Sequence, residues 1–308
     1  MDSYQEEAAM SVGAVLADPV IPENLESLFR RRTQDLQMLP AIAIQALEIA
    51  KDPDCAITEF TAVVERDVKL AADILGMANS ALYSPGRPIV NLHQSVVRLG
   101  FRQCKNLILS TSMTSLMKKI TLGEEWIREV LWRHGFLTAM LAINVNRCVG
   151  AGFQGEEFAA GLIHDFGRTL FAVCLPEQFA QIDPLEFVEG PSLLPDELEA
   201  CGTNHCEVGA WFAQVNRLPT ELQEVIRFHH DPTLALRHRR LVALTAVCDH
   251  MANHLQRGED VHTYDLRENS ALFILEGCGV RNAAGRLVDT VGEVMETAAK
   301  DAVEMMAF

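Results

Sequence analysis

Residues 156–176, EEFAAGLIHDFGRTLFAVCLP, set a histidine and an aspartate side by side in an apolar run. Ala159, Ala160, Leu162, Ile163, Phe166, Leu170 and Phe171 cover most of a helix circumference. The spacing therefore predicts one helix passing through a core, not over a surface. An ionised aspartate is costly to bury alone, so Asp165 needs a salt bridge or a cation there. Gly161 and Gly167 flank the pair. Each costs about 1 kcal/mol of helix propensity relative to alanine, which points to close approach by another backbone or a ligand. By itself the stretch fits a salt-bridged Asp165 beside a core His164 as well as it fits a metal site.

Outward from this stretch, the periodicity stays helical. On the N-terminal side lie NLESLFRRRTQDLQ (24–37), LPAIAIQALEIAKD (39–52), VKLAADILGMANSALY (68–83), and LHQSVVRLG (92–100), with Asn91 as its cap and Gly100 as its end. EEWIREVLWRHGFLTAMLAINVNRC (124–148) leads into the central run. Beyond it, Pro176, Pro184, Pro191 and Pro195 mark a loop-rich excursion expected outside the core. Helices are then expected over 197–215, 219–230 and 237–256, with two amphipathic helices in the tail. No strand periodicity interrupts them, so the fold class is all-α, a multi-helix body with two helical lobes. The expected organisation is an arm at 1–23, a domain at 24–258 divided into lobes 24–119 and 120–258, and C-terminal helices at 259–308. Those last helices pack on the domain or supply a homo-oligomer contact.

The formal net charge of −16 argues against a general nucleic-acid binder, because backbone recognition wants concentrated positive charge. Arginines at 30–32 and at 237, 239 and 240 read as solvated helix ends. The eight cysteines form no CxxC pair and are expected as reduced, buried thiols in a cytoplasmic protein. No signal peptide and no membrane span are expected.

Ionisable residues recur on the apolar helices of the second half: His134, His164, Asp165, His205, His229, His230 and Asp249. They fall on separate helices, which excludes a local zinc finger and requires convergence through tertiary packing. Nitrogen and oxygen ligands without a thiolate suit one or two divalent ions: Fe, Mn, Zn, Ni or Mg. Asp165 can give one oxygen to each of two metals and is the natural bridge. Taken singly, each histidine also fits a core imidazole hydrogen-bonded to a carbonyl.

This ordered set resembles the HD superfamily of metal-dependent phosphohydrolases. Over roughly residues 25–255 the chain resembles more specifically the HDOD group, the "HD-related output domain". The resemblance is carried by LQMLPAIAIQALEIAKDPD, ERDVKLAADILGMANSALY, IVNLHQSVVRLGFRQCKNLIL, LWRHG, AAGLIHDFGRTL, NHCEVGAWFAQVNRLP and IRFHH. It implies an all-helical fold and a bacterial signalling role, generally without demonstrated hydrolase activity. It also implies one metal held by His134, His164, Asp165 and Asp249, and a second near His205, His229 and His230 with Asp165 between. Relatives that hydrolyse cyclic di-GMP carry a lysine after the HD pair and a Gly-Tyr-Pro loop after the paired histidines. Here Arg168 stands at the lysine position, and DPTLALRHRR follows His230. An arginine fork is no simple substitute for an ammonium.

The expectation is a non-catalytic regulatory protein that binds a signalling partner or a small phosphorylated ligand. The alternative is a divalent-metal-dependent phosphohydrolase, with Asp165 and Arg168 as its candidate catalytic residues. Arg168 is expected either beside a phosphate or paired with Glu156, Glu157 or Asp249.

Overall fold

The computed structural model describes residues 17–34, 41–50, 52, 55–79, 88–120, 124–188 and 193–306. Residues 1–16 of the expected arm lie outside them. Among the described residues every regular element is helical. Helices α1 (Glu23–Thr33), α2 (Ala41–Ile49), α3 (Ile57–Val64), α4 (Val68–Asn79) and α5 (Leu92–Lys119) come first. Asn91 caps α5 by accepting from the Gln94 amide at 2.8 Å. Gly100 breaks its helical path with φ of 77° and ψ of 160°, which an L side chain resists, so α5 bends where the sequence reading ends a helix.

Helices α2 to α5 bury Ala43, Ala46, Phe60, Val64, Ile74, Val96, Leu107 and Ile108 in a core of their own. Helix α1, grouped with that lobe by sequence, packs elsewhere. Its Phe29 lies 6.0 Å from the Phe171 ring and 6.1 Å from Trp211, inside the core of the second half. The preceding residues lie along the same core: Thr203 Oγ1 donates to the Val20 carbonyl, and Arg227 donates to the carbonyls of Ala17 and Asp18.

The second half contains α6 (Glu125–Val149), α7 (Glu156–Ile163), α8 (Phe166–Cys174), α9 (Pro176–Ile182), α10 (Leu193–Cys201), α11 (His205–Val215), α12 (Thr220–Phe228) and α13 (Arg239–Gln256). It ends with α14 (Ala271–Gly277), α15 (Ala283–Leu287) and α16 (Val291–Met306). Helix α6 is buried almost all round between Leu131 and Val149. The α13 residues Leu244 and Met251, the α14 residue Leu275, and Leu287, Met295 and Ala298 from α15 and α16 share a core with its apolar face. The C-terminal helices thus lie on the body of the protein.

The single helix expected over 156–176 is two. His164 and Asp165 form a turn between α7 and α8, with Asp165 at φ −97° and ψ 13°. Two glycines set the positions of these helices. A Cβ on Gly161 would stand 2.7 Å from the Ala139 backbone of α6. On Gly167 it would stand 1.8 Å from the His205 carbonyl oxygen. Both therefore serve the close backbone approach that their helix-propensity cost suggested. The helix expected over 197–215 also divides, at Gly202 with φ of 70°, which places His205 in the first position of α11.

Candidate metal centre

Helix ends, rather than helix middles, supply most of the site. His164 and Asp165 occupy the α7–α8 turn, His205 opens α11, and His229 and His230 follow the last turn of α12. His134 projects from α6 and Asp249 from α13. Seven side chains predicted from sequence meet in one place.

They meet on either side of the Asp165 carboxylate. On one side, His134 Nε2 lies 3.3 Å from His164 Nε2 and 3.1 Å from Asp249 Oδ1. Asp165 Oδ2 is 3.6 Å from His134 Nε2 and 3.9 Å from His164 Nε2. On the other side, Asp165 Oδ1 is 3.4 Å from His205 Nε2 and 3.3 Å from His229 Nε2. His230 Nε2 completes that side at 3.2 Å from His205 Nε2. The His230 side chain reaches solvent, whereas His134, His164, His205 and His229 are buried.

Backbone and carboxylate acceptors orient three of the rings. His164 Nδ1 donates to the Gly161 carbonyl at 2.8 Å and His229 Nδ1 to the Ile226 carbonyl at 3.0 Å. Glu197 of α10, also buried, accepts from His205 Nδ1 at 2.8 Å and from the His205 amide at 2.9 Å. With Nδ1 so engaged, each Nε2 faces its neighbours in the cluster, the orientation that metal-binding histidines use once Nε2 is deprotonated. His229 Nε2 is buried and lacks a hydrogen-bond partner among the described residues, despite its proximity to Asp165. A buried nitrogen left in that state fits a cation between these groups better than it fits a closed hydrogen-bond network.

Charge agrees with geometry. Burial alone would raise the Asp165 carboxyl, but Arg168 and then His164, His205 and His229 hold it well below the usual carboxylate range. Burial is likewise overcome at Asp249, which His134 and His164 hold low. Burial opposes a proton on His164 and His205. Asp165 and Asp249 nevertheless raise His164, and Cys206, Glu197 and Asp165 raise His205 well above an ordinary imidazole.

Arg168 is not paired with Glu156, Glu157 or Asp249. Its Nε and one terminal nitrogen donate to the two oxygens of Asp183 at 2.8 and 2.9 Å, and its other terminal nitrogen donates to Asp165 Oδ2 at 2.8 Å. This bidentate fork is buried at both ends. Asp183 belongs to the segment expected outside the core. Instead Phe179, Asp183 and Phe187 are buried there. The Phe187 ring lies 4.8 Å from the His134 ring, stacked, and 4.8 Å from the Arg168 guanidinium carbon. Leu185 and Phe187 have positive φ, at 56° and 54°, and Arg257 Nη1 at the end of α13 donates to the Phe187 carbonyl at 2.6 Å. His250 and His254 turn away from the cluster, toward the Tyr264 hydroxyl and the Asp260 carbonyl.

Sequence reasoning missed Glu197, Asp183 and Phe187. Glu197 carried a signal, an acidic residue eight before a histidine. That signal is visible only once the intervening helix is known to break.

The family model described as the HDOD domain matches residues 36–232, which hold six of the seven clustered residues. The chain belongs to the HDOD family. Among solved structures, an HDOD domain protein of unknown function from Geobacter sulfurreducens is 24% identical, with a TM-score of 0.67, covering 90% of this chain and 97% of that one. A "Putative phosphohydrolase" from Shewanella amazonensis SB2B is 22% identical, with a TM-score of 0.63, covering 88% of this chain and 97% of that one. At these identities the likeness establishes the HDOD fold. A Treponema pallidum (strain Nichols) protein described as uncharacterized is 25% identical over 224 residues, or 69% of this chain. The HDOD chain described here spans 42% of that relative's length. No described helix is long and apolar enough to cross a membrane.

Proposed function

We propose that this HDOD chain is a non-catalytic regulatory protein that holds divalent cations in a covered cluster and acts by binding a signalling protein or a small phosphorylated ligand. The observation that carries the reading is the commitment of Arg168. The cation at the position of the hydrolases' lysine is buried, tied by three hydrogen bonds to Asp183 and Asp165, and covered by Phe187. A phosphate reaching it would have to displace a bidentate carboxylate from a buried site, at a cost of several kcal/mol.

His134, His164, Asp165 and Asp249 would hold one cation, and Asp165, His205, His229 and His230 a second. A cation bound there supplies Lewis acidity toward a phosphoryl oxygen. The chain's own residues orient the imidazoles and exclude water from the His134 side through Phe187. Metal identity is tested by elemental analysis after anaerobic purification.

The retained cluster favours a second reading, metal-dependent hydrolysis of a nucleotide or other phosphate ester. One comparison separates the two: a screen of phosphodiesters and nucleotides with Mn²⁺ or Fe²⁺, run on the wild-type and Asp165→Ala proteins. We expect the substitution to remove most bound metal while both proteins show the same background rate. Metal-dependent turnover that Asp165→Ala abolishes would reverse the assignment.

Loading should also be linked to protons. Because the His164 and His205 pKa values are raised, these rings retain protons above about pH 6.5, where free imidazole loses its own. A cation must displace those protons, so apparent Mn²⁺ affinity is expected to rise as the pH is raised above about 6.5. Calorimetry in buffers of different ionisation enthalpy reads the released protons directly. PH-independent affinity with no release would contradict these protonation states.

A further inference from the structure

The two sides of the cluster are unequal in charge. The His134 side has a carboxylate of its own, Asp249, besides its share of Asp165. The His205 side has three imidazoles and only the other oxygen of Asp165. A divalent ion on that side would face one carboxylate oxygen directly, with Glu197 behind His205 as the next anion, and a cation held among protein groups needs anionic partners. The residue following His205 is Cys206, which is buried at 3% exposure. One ligand atom each from His205, Cys206, His229 and His230 lies within 4.8 Å of every other. In a tetrahedral zinc site, neighbouring nitrogen and sulfur ligands stand about 3.5 Å apart, so small side-chain rotations separate this group from coordination. His229 belongs to the same group, and its buried Nε2, 3.3 Å from Asp165 Oδ1, makes no hydrogen bond among the described residues.

We propose that Cys206 is a thiolate ligand of the second subsite, making it a histidine–cysteine site that prefers Zn²⁺ or Co²⁺ to Mg²⁺ or Mn²⁺. The inference rests on reading the cluster as a cation site and adds a ligand and a selectivity to it. It also revises the thiolate-free ligand set expected from sequence. On binding, the thiol proton leaves to solvent and the sulfur lone pair enters the coordination sphere, which puts a negative charge in direct contact with the ion. The shared Asp165 then separates a hard, oxygen-rich subsite from a softer one, and the two would fill with different metals.

The test uses the full chain, stripped by chelator and reloaded with Co²⁺. Stoichiometry is read by elemental analysis, and thiolate ligation by near-ultraviolet sulfur-to-cobalt charge-transfer absorption. Wild-type protein is expected to show the band. Cys206→Ser should lose it while still binding cobalt at the His134 side, and should weaken Zn²⁺ binding about tenfold or more with Mn²⁺ affinity little changed. Cys248→Ser, which alters the buried thiol beside Asp249, should retain the band. Circular dichroism and thermal melting establish that the variants are folded, and Cys206→Ala provides a second variant should Cys206→Ser not be. A cobalt-loaded wild type without the band, or a band that survives in folded Cys206→Ser or Cys206→Ala, overturns the proposal with the cation reading intact. A wild type that binds no cobalt, zinc or manganese overturns both.

Discussion

Gly167→Ala is expected to lower the melting temperature by about 5 °C or more, or to prevent soluble accumulation altogether. The added methyl would stand 1.8 Å from the His205 carbonyl oxygen and 2.6 Å from its carbonyl carbon. The obstacle is backbone, so no side-chain rotation relieves it, and α8 must move off α11. Overpacking of a rigid contact costs roughly 3 kcal/mol or more, and the unfolding entropy of a 308-residue chain converts each kcal/mol to about 1.5 °C. The same displacement carries His205 away from Asp165, so the protein that does fold should bind less metal. Calorimetric melting beside metal analysis checks both effects. A melting temperature within about 2 °C of wild type would mean that the α8–α11 contact is looser than these distances state.

That glycine also illustrates what the sequence discloses. The cost of Gly161 and Gly167 within an apolar helix pattern signals a close contact, and the type and order of the seven site residues mark them as a group. The surfaces they meet are not readable locally. The break at His164–Asp165 follows from docking α7 on Ala139 and α8 on His205, contacts 22 and 38 residues away along the chain from Gly161 and Gly167. The prolines near 176–195 read as an external loop because proline reports local backbone preference. They carry no information that Asp183 pairs with Arg168 or that Phe187 stacks on His134. Cys206 reads from sequence as one of the reduced, buried thiols, and nothing local to it tells that His229 and His230 pack beside it.

Asp183→Ala should destabilise the protein by about 3 kcal/mol in denaturant titration. Removing one partner of a buried pair strands the other charge, and such losses run to about 3–5 kcal/mol. Asp165 still pairs with Arg168 in the variant, which places the expectation at the lower end. Asp183→Asn keeps one acceptor for the guanidinium and should lose less. Phe187 should also become more accessible, because the segment that presents it loses its tie to Arg168 while Leu185 and Phe187 remain in left-handed backbone. Limited proteolysis across residues 183–188 reads that opening. A stability change below about 0.5 kcal/mol would show that the fork contributes little, and would remove the main support for a committed Arg168.

The contact between His134 and Asp249 joins residues 115 positions apart. Bringing such distant points together is entropically costly in a flexible chain, although the cost grows only logarithmically with length. Here the docking of α6 on α13, through an apolar core that includes Leu141, Leu244 and Met251, meets that cost before any ligand arrives. The cluster is therefore a property of the finished fold, because its longest-range contacts require the packing of both helices. Whatever binds there meets donors that are already gathered, and its affinity is spared the loop closure that brought them together.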